Sequence, residues 1–255
     1  MNIISGFADI SLLQLLLVAG VALFASVIGG LAGYGTGALM PLVLVPLIGA
    51  EPVVPIIAIS AVFTNLSRAT AYFRNVDRRR ALIVILAAAL TTALGAYGYT
   101  RLTNAGAALV IGAMLISSVP LRRLLKRHDV MIGDSGLGAG AVGYGVVVGG
   151  TAGSGVILLS LLMAAGLEGA AVIATDAVIS VVTSIIKISV FGLAGVVTAQ
   201  VLAFALLIGA IALPGTFFAK TFVERMPVHI HAAILDAAVI VGGVVMISAA
   251  LRSFY

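Results

Sequence analysis

The chain has no cysteine and is poor in charge: only 9% of its residues are Asp, Glu, Lys or Arg. Without cysteine there are no disulfides, no thiolate metal sites and no cysteine nucleophile, and the redox compartment stays open. The three histidines and few acids do not fall at metal-ligand spacing, and neither a phosphate loop with Gly-Lys-Ser/Thr nor a nucleophile elbow occurs. The residues therefore name no enzyme, no cofactor and no metal. No Lys or Arg precedes Arg68, so the N-terminus lacks the basic region of a cleavable signal peptide, and the first apolar segment is expected to stay in the mature protein.

What the chain has in abundance is apolar surface. Sixty-two per cent of its residues are hydrophobic, with a mean hydropathy of +1.27. Apolar runs of about 20 residues recur along the sequence, each long enough to cross a bilayer as a helix. Short alternating strands of a barrel are not seen, and no hydrophilic stretch is long enough for a separate soluble domain. The net charge of +5 raises nucleic acid as a partner. Its basic residues cluster in short stretches between spans, however, and that is the positive-inside pattern of a membrane protein with no nucleic-acid partner.

One stretch is written twice. Gly29-Gly30-Leu31-Ala32-Gly33-Tyr34-Gly35-Thr36-Gly37 returns 120 residues later as Gly149-Gly150-Thr151-Ala152-Gly153-Ser154-Gly155-Val156-Ile157, with five of nine positions identical. Each copy interrupts a hydrophobic run, and glycine-broken segments at corresponding places in two halves point to a transporter's binding site. Around each copy the order of segments repeats. Ser11 to Ala32, Thr36 to Ile48, Val53 to Phe73, Ala81 to Tyr99 and Ala105 to Leu121 form one set. Ser135 to Ala152, Gly155 to Ala165, Gly169 to Phe191, Thr198 to Phe218 and Val228 to Leu251 form the other.

The expected fold is an all-α polytopic membrane protein of two homologous halves. Residues 1–121 form the first, 122–134 a basic cytoplasmic linker and 135–255 the second. Each half holds four spans and a broken or hairpin segment. If the first two segments of each half turn back on themselves, the halves form an inverted repeat. Arg74, Arg78, Arg79, Arg80, Arg122, Arg123, Lys126, Arg127, Lys220 and Arg225 then lie in the cytoplasm, with Arg101 and Arg252 outside. If each pair crosses once, the balance is nine against three, so the inverted arrangement is preferred.

The glycines have two readings. Gly29, Gly33 and Gly37, like Gly145, Gly149 and Gly153, stand at the spacing of close helix packing. Alternatively, Gly33, Gly35, Thr36 and Gly37, with Gly153, Ser154 and Gly155, unwind the chain. Two half-helices then begin with free N–H groups that favour an anion. Gly33-Tyr34-Gly35 and Gly143-Tyr144-Gly145 lack the preceding Thr-Val of a potassium filter.

Polar stripes accompany them. Ser60, Thr64, Ser67 and Arg68 share one face of a helix, as do Asp176, Ser180, Thr183, Ser184 and Lys187. An offset of 119 places Thr64 and Asn65 on Thr183 and Ser184, and Arg68 on Lys187. Thr64, Asn65, Thr183 and Ser184 are the expected hydrogen-bonding partners of a ligand. Arg68 and Lys187 are the expected cations, with snorkelling to the headgroups as the competing reading. Asp176 and Asp236 must be paired or protonated inside spans, which makes them candidates for coupling anion transport to protons. His229 and His231 are expected at the interface, in wet headgroup contact.

The two glycine stretches, with Pro41 after the first and a hydroxyl-bearing helix after each, resemble the TauE/SafE family, the sulfite-exporter group. In length, repeat number and segment order the resemblance covers nearly the whole chain. It implies a multi-pass permease of a bacterial-type inner membrane that moves small sulfur-containing anions such as sulfite or organosulfonates, often outward. The second copy departs from the pattern: Val156, Ile157 and Leu161 stand where Thr36, Gly37 and Pro41 stand in the first. The expected function is a secondary transporter of a small anion working by alternating access, with a passive anion channel as the alternative. The expected partners are the anion, the bilayer and protons as coupling ion; no oligomeric state follows.

Overall fold

The computed structural model describes residues 3–8, 10–32, 35–127, 131–222 and 228–252. They are all-helical. After a 3-10 turn at Ile3–Phe7 come α1 (Leu12–Ala32), α2 (Thr36–Ile48), α3 (Val53–Ala71), α4 (Arg78–Tyr99) and α5 (Asn104–Arg127). Then follow α6 (Asp134–Gly150), α7 (Gly155–Ala164), α8 (Gly169–Leu193), α9 (Ala199–Phe222) and α10 (Val228–Arg252). Four of these, α3, α4, the first 18 residues of α5, and α8, are each long and apolar enough to cross a membrane. Leu82, Leu86, Leu90 and Leu94 run down α4 at four-residue spacing, each more than half exposed. Such a stripe suits hydrocarbon and would be costly in water. The protein is a polytopic membrane protein.

Three expected boundaries move; α9 runs to Phe222 where Phe218 was expected, and two others carry basic residues. Arg78, Arg79 and Arg80 form the first turn of α4 rather than a loop, because Asp77 caps that helix by accepting from the Arg80 backbone N–H at 2.9 Å. That bond, with the Arg80 guanidinium 2.7 Å away, holds the Asp77 carboxyl below the usual carboxylate range. Helix α5 continues through Arg127, so the basic stretch from Arg122 is helical where a linker was expected. Leucine, arginine and lysine are good helix formers, and no glycine or proline interrupts them there.

Contacts at the helix ends sort the elements onto two faces of the bundle. On the first face the Tyr99 hydroxyl donates to the Ala50 carbonyl at 2.6 Å, joining the end of α4 to the turn after α2. Asn104, at the start of α5, accepts from the Ala50 N–H. The Tyr99 ring meets Phe191, near the end of α8, at 6.1 Å. Gly6, before α1, lies against the Ala199 backbone that begins α9.

On the second face the Asp77 N–H donates to the Thr175 hydroxyl at 3.0 Å, joining the start of α4 to the early turns of α8. Arg79 pairs with Asp134 at the start of α6. The Ile132 N–H donates to the Ala164 carbonyl at 2.8 Å, bringing the end of α7 to the same place. The α1–α2 pair thus begins and ends on the first face, and the α6–α7 pair begins and ends on the second. At 13 and 10 residues, α2 and α7 are too short to cross.

The principal packings come in matched sets: α4 lies on α6 and α9 on α1, α3 on α9 and α8 on α4, while α3–α8 and α5–α10 pack with each other. Exchanging α1–α5 for α6–α10 turns each of these pairings into another of them or itself. Small residues let the backbones approach. A Cβ on Gly149 would strike the Thr92 carbonyl, and one on Gly95 would strike that of Val146, so α4 and α6 touch backbone to backbone.

The absence of native cysteine makes the two faces directly testable. Single cysteines at Asn75 and Met131 should react with an impermeant maleimide from one side of the membrane, and cysteines at Arg101 and Gly195 from the other. Labelling of Met131→Cys and Gly195→Cys from the same side would overturn the arrangement.

Candidate functional site

The two glycine stretches break their helices, and the breaks meet. Helix α6 stops at Gly150, residues Thr151 to Ser154 are non-helical, and α7 begins at Gly155. In the other stretch α1 stops at Ala32 and α2 begins at Thr36; Gly33 lies outside the described residues. A Cβ added at Gly37 would come within 3.2 Å of the Gly153 nitrogen, and one at Gly153 within 3.5 Å of the Gly37 carbonyl. Gly153 has φ +83°, a left-handed conformation that glycine adopts freely and other L-residues avoid. Gly35 has no room for a Cβ either, because the Ala25 carbonyl of α1 fills that space.

Neither short helix is capped by a side chain. The Gly35 carbonyl accepts from the N–H groups of Ala38 and Leu39, which leaves those of Thr36 and Gly37 to open α2 with no partner within the helix. Gly155 and Val156 open α7 in the same way behind Ser154. Two positive helix ends therefore converge inside the bundle.

A cavity of about 110 Å³ lies beside them. A single water needs roughly 10–15 Å³ on this measure, so a small ion and several waters fit. Gly35, Thr36, Gly37, Gly153, Ser154 and Gly155 line it from the breaks. From α3 come Thr64, Asn65 and Arg68, and from α8 come Asp176, Thr183, Ser184 and Lys187. Fourteen of the fifteen expected site residues lie among the described residues, and thirteen of these fourteen surround this one cavity. The exception is Asp236, half-buried on α10 and away from the cavity. Its expectation came from one acid in an apolar run, which carries no information about which way the helix faces.

The charges turn inward. Arg68 is 7% exposed and Lys187 5%, so neither reaches outward to headgroups. Arg68 lies one turn before the end of α3 on the second face, and Lys187 less than two turns before the end of α8 on the first. The two cations thus enter the cavity from opposite faces. Arg68 hydrogen-bonds Asn65 and lies 3.1 Å from the Asp176 carboxylate, which is 1% exposed. The carboxylate oxygens make that ion contact without an aligned hydrogen bond. The Lys187 ammonium donates to the Thr151 carbonyl at 3.3 Å, within the break itself. Among the described residues no carboxylate reaches Lys187. With all three groups ionised the cavity carries one net positive charge.

Sequence reasoning missed Ser26, Tyr144 and Thr151, which also line the cavity. Tyr144 is 2% exposed, with the hydroxyls of Ser180 and Thr183 beside its phenol. Its signal in the sequence is a polar tip on the helix that leads into a break. Thr151 stands inside the repeated stretch, where the first copy has the apolar Leu31.

The model of the family described as sulfite exporter TauE/SafE matches residues 18–246. The chain belongs to the TauE/SafE family. The matched range includes both glycine stretches, α3, α8 and thus the whole cavity lining. Family members are membrane transporters of the sulfite-exporter type rather than enzymes. No curated protein and no solved structure matches the chain.

The break demands glycine at one position above all. Gly153→Ala should lower stability by about 1–2 kcal/mol, the cost of a side chain in the left-handed region. The Leu115 side chain, 3.1 Å from the added carbon, increases the cost. Gly192→Ala, on α8 with open space around it, should leave stability unchanged or slightly raised. Thermal unfolding in detergent checks both.

Proposed function

We propose that this TauE/SafE protein is a secondary transporter that exports a small sulfur oxyanion or organosulfonate across a bacterial-type inner membrane. Alternating access takes place at the cavity between α3, α8 and the two broken helices. The observation that carries the reading is the convergence of two buried cations and two uncapped helix N-termini on one cavity with a net positive charge. A charge inside a membrane costs at least about 2.5–3.5 kcal/mol, so a site that keeps such an excess favours a ligand that cancels it. The ligand is an anion.

In this mechanism the N–H groups at Thr36, Gly37 and Gly155 point at the anion, as half-helix ends do in other transporters. Thr64, Asn65, Thr183 and Ser184 hydrogen-bond it, Ser154 completes the break, and Arg68 and Lys187 supply charge from opposite faces. The two halves, residues 1–121 and 135–255, rock against each other as an inverted repeat. Supporting that are the two hairpins opening on opposite faces and the packings that interchange when the halves are exchanged. An inside-negative potential favours outward movement of an anion by about 2.3 kcal/mol per charge per 100 mV. Asp176 is the group for proton coupling: its neutralisation raises the positive charge of the cavity, so proton and anion favour the same state, and a dianion such as sulfite then leaves with one net negative charge for the potential to act on.

Purified protein in proteoliposomes should accumulate sulfite against its gradient when a proton gradient is imposed. Lys187→Met should lower that flux at least about tenfold, the ratio expected when roughly 1.4 kcal/mol of ligand attraction is lost. Flux that only dissipates the sulfite gradient would make the protein a channel. Uphill transport indifferent to the proton gradient would remove proton coupling at Asp176 from the mechanism.

A further inference from the structure

The offset of 119 residues aligns more than the cations. Along α3 the cavity is lined at Ile57, Ala58, Ala61, Thr64, Asn65 and Arg68, and along α8 at Asp176, Ser180, Thr183, Ser184 and Lys187. All of these positions but Ala58 have their counterpart in the lining of the other helix. The chemistry matches at the last three and departs most at the first, where Ile57 stands against Asp176.

The departure coincides with the one difference between the cations. Arg68 lies 3.1 Å from Asp176, whereas Lys187 has a backbone carbonyl and no carboxylate among the described residues. Asp176 is itself poorly held. It is 1% exposed and has no aligned donor on either oxygen. A buried carboxylate so placed is a weak structural element, because ion pairing without hydrogen bonds seldom repays desolvation. It is well placed as an anion that can be displaced.

We infer that Asp176 is a resident competitor for the substrate: it holds Arg68 while the cavity is empty, and the arriving anion takes Arg68 from it. Lys187 is the standing attractor, and Arg68 changes partner on loading and again on release. This inference rests on the anion-transport reading and deepens it by giving Arg68 and Lys187 unequal roles. The exchange prevents two free cations from holding the anion too tightly to let it go. In the empty protein Arg68 is engaged, so removing it takes a contact from both the empty and the loaded state. Removing Lys187 takes one from the loaded state alone.

The test is sulfite binding to detergent-purified variants at one fixed pH, read by calorimetry and thermal shift. Asp176→Asn should bind sulfite about tenfold more tightly than the parent chain and turn over more slowly in proteoliposomes. Arg68→Gln should weaken binding less than about threefold in the parent but at least tenfold in the Asp176→Asn background, a coupling that a spectator carboxylate would not produce. Should Asp176→Asn fail to fold, the single variants decide: Lys187→Gln must cost at least about tenfold and Arg68→Gln clearly less. Equal losses from Arg68→Gln in both backgrounds, or equal losses from the two single variants, overturn the competitor role while leaving anion transport standing. If the parent protein neither binds nor moves sulfite, it is the transport reading that fails.

Discussion

A peptide group with no hydrogen-bond partner cannot face hydrocarbon, and this constraint organises the molecule. Two helices stop partway through the bundle, and each stop exposes backbone donors and acceptors. The chain meets the constraint by placing the two breaks against each other and walling them with α3 and α8. Residues Thr151 to Ser154 are all buried, as are Gly35 and the helical residues Ala38 to Pro41 that follow it. What hydrocarbon cannot satisfy, polar side chains and a cavity can. The same geometry that makes the breaks tolerable gathers hydroxyls, an amide and three charges around them.

Much of this was legible in the sequence because glycine is read the same way by the backbone and by the eye. A helix that loses its side chains at Gly33, Gly35 and Gly37 has little to hold it straight, and a second copy 120 residues on has the same weakness. The segment limits followed to within a residue or two at most ends, since Glu51-Pro52 and Gly195 are punctuation that acts locally. The cavity lining followed from helical periodicity, because Thr64, Arg68, Thr183 and Lys187 can share a face only in one way. The limits failed where punctuation was replaced by charge. The run of arginines before Ala81 and the one after Leu121 suggested loops, but arginine continues a helix as readily as leucine does.

The direction in which a lone polar residue faces was not legible. Asp236 and Asp176 are each a single acid in an apolar run, and only tertiary packing turns one into the cavity and leaves the other on α10. Asp176 had a phase reference in the hydroxyls that follow it, whereas Asp236 had none. Tyr144 had the opposite difficulty. Its helix is rich in glycine, and Gly145 and Gly149 pack against α4 while Tyr144, one position along, turns to the cavity. Periodicity gives a face, and a face has no sign until a neighbour is placed on it.

The two sets of five helices follow one plan but are chemically unequal, and the inequality is physical. Perfect symmetry in the lining would set two free cations, or two neutralised ones, around one cavity. Two free cations would bind an anion well and release it slowly; two neutralised ones would leave nothing to draw it in. An isoleucine at position 57 against an aspartate at 176 gives the intermediate case, with one cation engaged and one available. The second stretch begins its short helix with Gly155-Val156-Ile157 where the first has Gly35-Thr36-Gly37, and it brings its hydroxyls, Thr151 and Ser154, before the helix starts. The cation with no carboxylate among the described residues thus sits against the second break, and the carboxylate sits with the cation that already has Asn65. That division suits an ion that must be both attracted and let go.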